Sequence, residues 1–278
     1  MNLVPDFLSG GLAFVDIETN GGPAQRESIT EIGIIEVDAA GVCEWSSLVR
    51  PGLRIPPHIE RLTGIDNDMV ACAPCFAEIA DEVYDRLQGR LFVAHNARFD
   101  HGHLRAALRR AGRDIRLRVL CTVKLSRRLF PEQRRHSLDH LIERHGLQVG
   151  DRHRALGDAR LLWQFWQRLH ECRAPGLIAE TVQALLGEGV LPPHLDADSL
   201  AGLADTPGVY LFYGDNELPL YVGKSRHLRT RVLSHFAADH RSDRELSLSQ
   251  QVRRIDWIET EAAWPTAPPT GQCDEPLC

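Results

Sequence analysis

An apolar run that ends in two alternating acids governs how this chain can fold: Leu12-Ala13-Phe14-Val15-Asp16-Ile17-Glu18-Thr19. It is apolar up to the first acid, as a buried strand is. Side chains alternate along a strand, so Asp16 and Glu18 point to one side and Ile17 to the other. Thr19-Asn20-Gly21-Gly22 then breaks the strand with turn residues. Two carboxylates therefore share a strand end. Without a cation they repel, and one tends to keep its proton.

Three further residues bear on the same chemistry: Asp100 in His95-Asn96-Ala97-Arg98-Phe99-Asp100, and His153 with Asp158 in His153-Arg154-Ala155-Leu156-Gly157-Asp158. Hard divalent cations take carboxylate oxygens. Two such ions a few ångströms apart can hold the attacking and leaving oxygens of a phosphodiester cleavage. A histidine supplies a base that works near neutral pH. A lone Asp-x-Glu is more often a solvated strand end, and only the other three residues lift it above that. His95 follows a buried strand and reads as structural. Asn96 and Phe99 are substrate-facing or structural. His101 and His103 lie beside Asp100 but lack the histidine-to-aspartate spacing of His153 and Asp158.

Other elements follow from periodicity. Ile29 to Val37 and Cys43 to Val49 read as a second and third strand of a meander. Phe76, Ile79, Ala80, Val83 and Leu87 give a helix over 74–88, and Leu91-Phe92-Val93-Ala94 is a short buried strand. Asp100 is expected to open a helix that stops at Gly112. Ser137 can cap a helix running to His145, and Ala155 to Glu171 is a strong helix with Asp158 in its first turn. Strands first, then helices with a late strand between them, predict a mixed sheet flanked by helices.

On these motifs residues 8–172 resemble the DEDDh 3′→5′ exonucleases of the RNase H-like fold, close to the proofreading epsilon subunits of bacterial DNA polymerase III. Ile55-Pro56-Pro57 and Leu62-Thr63-Gly64-Ile65 match the stretch that this family carries between strand and helix. The resemblance implies that Asp16, Glu18, Asp100 and Asp158 bind two Mg²⁺ or Mn²⁺ ions, and that His153 activates the attacking water. It also implies that Thr19 supports the terminal nucleotide through its backbone. The expected partner is DNA at single-stranded or 3′ ends, in replication proofreading or repair and with a polymerase or repair complex. RNA ends are the alternative substrate.

A second constellation lies further on. Gly208-Val209-Tyr210-Leu211 is followed by Tyr221-Val222-Gly223-Lys224 and a basic helix over 225–236. This hairpin places two tyrosines near cationic side chains that can hold a phosphate. Two core tyrosines in a hairpin are the plainer reading. Residues 206–261 resemble a UvrC-like GIY-YIG nuclease domain, which implies catalytic or phosphate-binding roles for Tyr210, Tyr221, Lys224 and Arg231. That family carries a metal-binding glutamate on a later helix. Here Trp264-Pro265-Thr266-Ala267-Pro268-Pro269 follows, and prolines at that density cannot continue a helix. Glu259 and Glu261 stand in the preceding strand or turn. The small α/β domain is therefore expected to be incomplete and catalytically dead, with 262–278 a disordered tail. On that reading it binds or tethers nucleic acid. Residues 173–205 read as a linker, with a short helix over 177–186.

The 278 residues carry a net charge of −6, low for a nucleic-acid enzyme. The stretch from Arg105 to Arg135 is strongly basic, however, either as a solvated helix face or as a surface for a phosphate backbone. Seven scattered cysteines form no disulfide framework. Cys72-Ala73-Pro74-Cys75 has neither a thioredoxin-like setting nor a second pair to complete a zinc site. No apolar stretch reaches the ~18 residues of a membrane span, and no signal-peptide layout opens the chain, so a cytoplasmic enzyme is expected.

Overall fold

A computed structural model describes residues 3–5, 8, 10–24, 26–187, 195, 200, 202–214, 218–236, 248 and 251–260. Glu261 and the proline-rich stretch 262–278 lie outside the described residues, as does most of 188–205.

Strands β1 (Leu12–Thr19), β2 (Ile29–Asp38) and β3 (Gly41–Leu48) form an antiparallel meander. Helices α1 (Pro57–Thr63), α2 (Asn67–Ala71) and α3 (Phe76–Leu87) lead to β4 (Leu91–Ala94), which pairs parallel with β1. Helix α4 (Arg98–Arg110) crosses to β5 (Arg118–Cys121), giving the mixed order β3-β2-β1-β4-β5. Helices α5 (Thr122–Leu129), α6 (Leu138–His145), α7 (Ala155–Cys172) and α8 (Pro175–Gly187) follow. This is the RNase H-like architecture.

β1 is central because both of its faces are covered. Leu12 and Phe14 pack on one side with Leu161, Leu162, Phe165, Trp166 and Leu169 of α7. Ala13, Val15 and Ile17 pack on the other with Val83 and Leu87 of α3 and Leu104 and Leu108 of α4. Continuous apolarity is what a strand buried on both faces needs. The period of two then carries Asp16 and Glu18 onto the α7 side, at the end of the row begun by Leu12 and Phe14.

A second sheet has the order β7-β6-β8, all antiparallel: β6 (Gly208–Tyr213), β7 (Pro219–Ser225) and β8 (Arg254–Glu259). Helix α9 (Leu228–Ser234) packs on it through Leu228 and Val232, over a core containing Tyr210, Phe212, Phe236 and Ile255.

Several expectations shift. α4 begins at Arg98, so Asp100 is its third residue and does not open it. Ser137 stands at the N-cap of α6 but makes no cap; its hydroxyl is 2.5 Å from Nδ1 of His140 instead. Ser225 belongs to β7, where its Oγ bonds the backbone of His227, so the basic helix starts only at Leu228. α8 begins at Pro175 and buries Ile178 and Val182 in the α7-side core. Cys75 is the N-cap of α3, and its N–H donates to Oε2 of Glu78 at 2.7 Å. Among the described residues no helix is long and apolar enough to cross a membrane.

Candidate active site

Asp16, Glu18 and Asp158 each offer a carboxylate oxygen, and the three lie within 4.8 Å of one another. β1 supplies the first two and the first turn of α7 the third. Ile17 between them is buried on the opposite face, as the alternation requires.

Asp100 lies outside that group of three yet belongs to the same neighbourhood. β4 pairs with β1 only as far as Phe14, so the N–H of Ile17 has no strand to donate to on that side. Asp100 Oδ1 accepts it at 3.2 Å. A carboxylate thus extends the ladder past the end of β4 and satisfies a backbone donor that burial would otherwise penalise.

The electrostatics are severe. Burial, followed by the charges of Asp100, Asp158 and Glu18, pushes the Asp16 carboxyl well above its ordinary range. Burial, with Asp158 and Glu31 next, raises Glu18 to about 8. Burial raises Asp100 to about 7 against the hydrogen bond from Ile17, with Asp158 adding to the rise. Asp158 is also raised by burial, although Arg152 and His153 oppose it. Its Oδ1 is buried with no hydrogen-bond partner, while Oδ2 takes an ion pair from Arg152. An all-oxygen cluster with an orphaned oxygen, and a guanidinium drawn against it, fits a hard metal cation.

His153 stands on the loop before α7, half-buried, with Nδ1 3.4 Å from Nη1 of Arg152. Its φ is +61°, and Asn96, in the turn after β4, has +63°. These are the described non-glycine residues with positive φ, a conformation that non-glycine residues adopt at a cost. Thr19 is buried, and its Oγ1 accepts from the N–H of Gly21 at 3.2 Å. Phe99 is half-buried against His103, their ring centroids 4.3 Å apart. His95 is held 2.8 Å from Thr122 Oγ1, and burial followed by Arg152 lowers it to about 4, which suits a structural histidine.

Two residues had no signal in one-dimensional reading. Glu31 is buried on β2 and grips Arg154 and the N–H of Ala155. Arg152 bridges Asp158 and Asp139. Only the chain's return after some 120 residues brings Glu31 to Arg154, and spacing cannot report that.

In the second sheet Tyr210 is fully buried, its hydroxyl 2.6 Å from Nε2 of His235. The ring of Tyr221 stacks on it at 5.9 Å, and the charge of Arg231 acts on both phenols. Burial raises the Tyr210 hydroxyl above its ordinary range. Lys224 is exposed on β7. Glu259 is exposed, and its Oε2 accepts from Thr206 Oγ1 at 2.9 Å.

The mixed sheet, with acids gathered at the end of its central strand, defines the first unit as a nuclease domain of the exonuclease class. The family model described as Exonuclease matches residues 13–165, and the chain belongs to that family. A UvrC-like GIY-YIG domain model matches residues 206–264. A Mycobacterium tuberculosis protein named as a bifunctional exonuclease/endonuclease is 36% identical, over 88% of this chain and 40% of its own length. The Staphylococcus aureus 3′-5′ exonuclease DinG is 35% identical, over 53% of this chain and 17% of its own. The chain thus spans less than half the length of these relatives. Escherichia coli exonuclease I bound to a dA16 oligonucleotide shares the fold, with a TM-score of 0.55 and 17% identity over 73% of this chain and 48% of that one.

Proposed function

We propose that the first domain removes nucleotides from DNA 3′ ends by metal-dependent hydrolysis. The observation that carries this is the cluster of Asp16, Glu18 and Asp158, with an unpaired buried oxygen and His153 beside it. Asp16, Glu18, Asp100 and Asp158 would hold Mg²⁺ or Mn²⁺. Bound there, the ions supply Lewis-acid stabilisation of charge on the attacking and leaving oxygens. His153 takes a proton from water as its oxygen attacks phosphorus. The bond from phosphorus to the 3′ oxygen breaks, releasing a nucleoside 5′-monophosphate and a new 3′ hydroxyl. Thr19, which follows Glu18 in the chain, and Asn96 and Phe99, which precede Asp100, would receive the terminal nucleotide. The 3′→5′ direction is supported by the name of the Staphylococcus aureus relative. DNA over RNA is supported by the UvrC-like domain on the same chain, which would bring the enzyme to repair intermediates. Its Tyr221, Lys224 and Arg231 would bind phosphate without cutting, while Tyr210 stays in the core against His235.

The test uses 5′-labelled single-stranded DNA and RNA with Mg²⁺ or Mn²⁺, and Asp16→Asn as control. A ladder shortening from the 3′ end, abolished by EDTA and by Asp16→Asn, is expected on DNA. Shortening from the 5′ end, full activity in EDTA, or preference for RNA would each overturn the corresponding part.

A further inference from the structure

We infer that Glu31 is a positioning residue for this site, fixing the first turn of α7 against the two acids of β1; the inference rests on the exonuclease reading above. Glu31 is 5% exposed, and its carboxyl group accepts three hydrogen bonds. Arg154 donates two as a fork, Nε at 3.0 Å and Nη2 at 2.6 Å. The N–H of Ala155 donates the third at 2.9 Å. Ala155 is the first residue of α7, so its N–H is one of the donors that a helix leaves without an internal partner. The N-cap residue Arg154 offers no side-chain cap. A buried acid on a distant strand does that work.

Register makes the contact matter. Glu31 is the cross-strand partner of Glu18, and Gly33 is the partner of Asp16. Opposed residues of an antiparallel pair share a face. At Gly33 the backbone of α7 comes so close that an added Cβ would lie 2.3 Å from Leu156 N and 2.4 Å from Ala155 C. The start of α7 is therefore seated directly beside both acids. His153 lies two residues before Ala155 and Asp158 three after it, so one clamp locates both. The fully buried apolar stripe that binds α7 to the sheet, Leu161 to Leu169, lies beyond Asp158, and in the first turn the half-buried Leu156 adds to that core. Loss of Glu31 should thus free the first turn while the rest of the helix stays packed.

The test titrates Mn²⁺ alone into the full chain by calorimetry, alongside the nuclease assay and melting in EDTA. Partners that orient metal ligands typically contribute about 10–100-fold in affinity or activity. Glu31→Ala is expected to weaken Mn²⁺ binding and lower kcat within that range. Glu31→Gln, which can still accept from Ala155, should lose less. Arg154→Ala separates position from charge. If Glu31 acted only through its charge, removing the arginine would tighten Mn²⁺ binding; a positioning role predicts that it weakens. The double variant should lose no more than Glu31→Ala alone, since both residues belong to one clamp. Unchanged or tighter Mn²⁺ binding in Arg154→Ala overturns the inference, whatever happens to folding in Glu31→Ala. So does a lowered melting temperature with Mn²⁺ affinity intact. If the wild type binds no Mn²⁺, or Asp16→Asn hydrolyses DNA as the wild type does, the exonuclease reading itself fails.

Discussion

Glu18 shows how the site stores its dependence on a cation. Its folded-state pKa, about 8, stands above its ordinary 4.5. Between those values the folded protein holds a proton that the unfolded chain has lost. The contribution to stability is therefore complete below pH 4.5 and is lost as pH rises through 8. Without metal, urea denaturation in EDTA should show Glu18→Gln gaining on the wild type as pH goes from 5 to 8.5. Saturating Mn²⁺, which favours the carboxylate, should erase or reverse that gain. A difference between the two proteins that does not vary with pH in EDTA would refute it. His153 gives a second expectation. His153→Ala should lose about 10²–10⁴-fold in kcat, the usual cost of removing a general base, with DNA affinity nearly kept. Wild-type turnover would move the role elsewhere. Asp16 and Glu18 were legible because strand alternation shows in a bare sequence. The left-handed φ of His153, the bond from Ile17 to Asp100 and the grip of Glu31 on Arg154 were not. Each is a contact or conformation that exists only after distant segments meet.

At the level of elements, long periodic segments announced themselves and short ones did not. α3 and α7 carry apolar stripes over 12 and 18 residues. β5 has four residues, Arg118-Val119-Leu120-Cys121, set among arginines and too short for any period to emerge. α5 follows it without a break, so the basic stretch from Arg105 to Arg135 holds the end of α4, a strand and the whole of α5. Some of that charge is engaged within the fold: Arg113 pairs with Asp81 at 2.6 Å, and Arg110 donates to Ala24 O at 2.8 Å. The seat of α7 on β2 depends on a missing side chain. Gly33→Ala would push Cβ into backbone that cannot rotate away. Overpacking of this kind costs about 1–3 kcal/mol, and the displaced first turn should also lower kcat. Gly150→Ala, where nothing lies within 4 Å, is the matched control and should leave stability within about 0.5 kcal/mol. Equal stabilities of the two variants in urea would show that α7 can shift freely.

The whole chain joins two hydrophobic centres of unequal strength. Two clusters sandwich the five-stranded sheet, while one smaller cluster supports the three-stranded sheet. The first unit gathers the carboxylates a metal needs, and among the described residues no comparable group of metal-binding side chains occurs in the second. There Tyr210 is sealed in the core against His235, and burial followed by Arg231 lowers that histidine to about 4, so it meets the phenol as a neutral imidazole. Burial holds the Tyr210 proton more firmly still. Of the two acids on β8, Glu259 is turned to Thr206 and Asp256 pairs with Arg254. A phosphate group could meet Arg231 and Lys224, but the described residues of this unit offer no carboxylate cluster to bring a cation to the leaving oxygen. The full chain carrying Asp16→Asn, which silences the first unit, is therefore expected to leave supercoiled plasmid intact with Mg²⁺ or Mn²⁺. It should still bind DNA, more weakly as salt rises and more weakly again with Arg231→Ala. Nicking by Asp16→Asn that stops with Tyr210→Phe or Arg231→Ala would show a second working nuclease, with Glu259 or a residue beyond it completing the site.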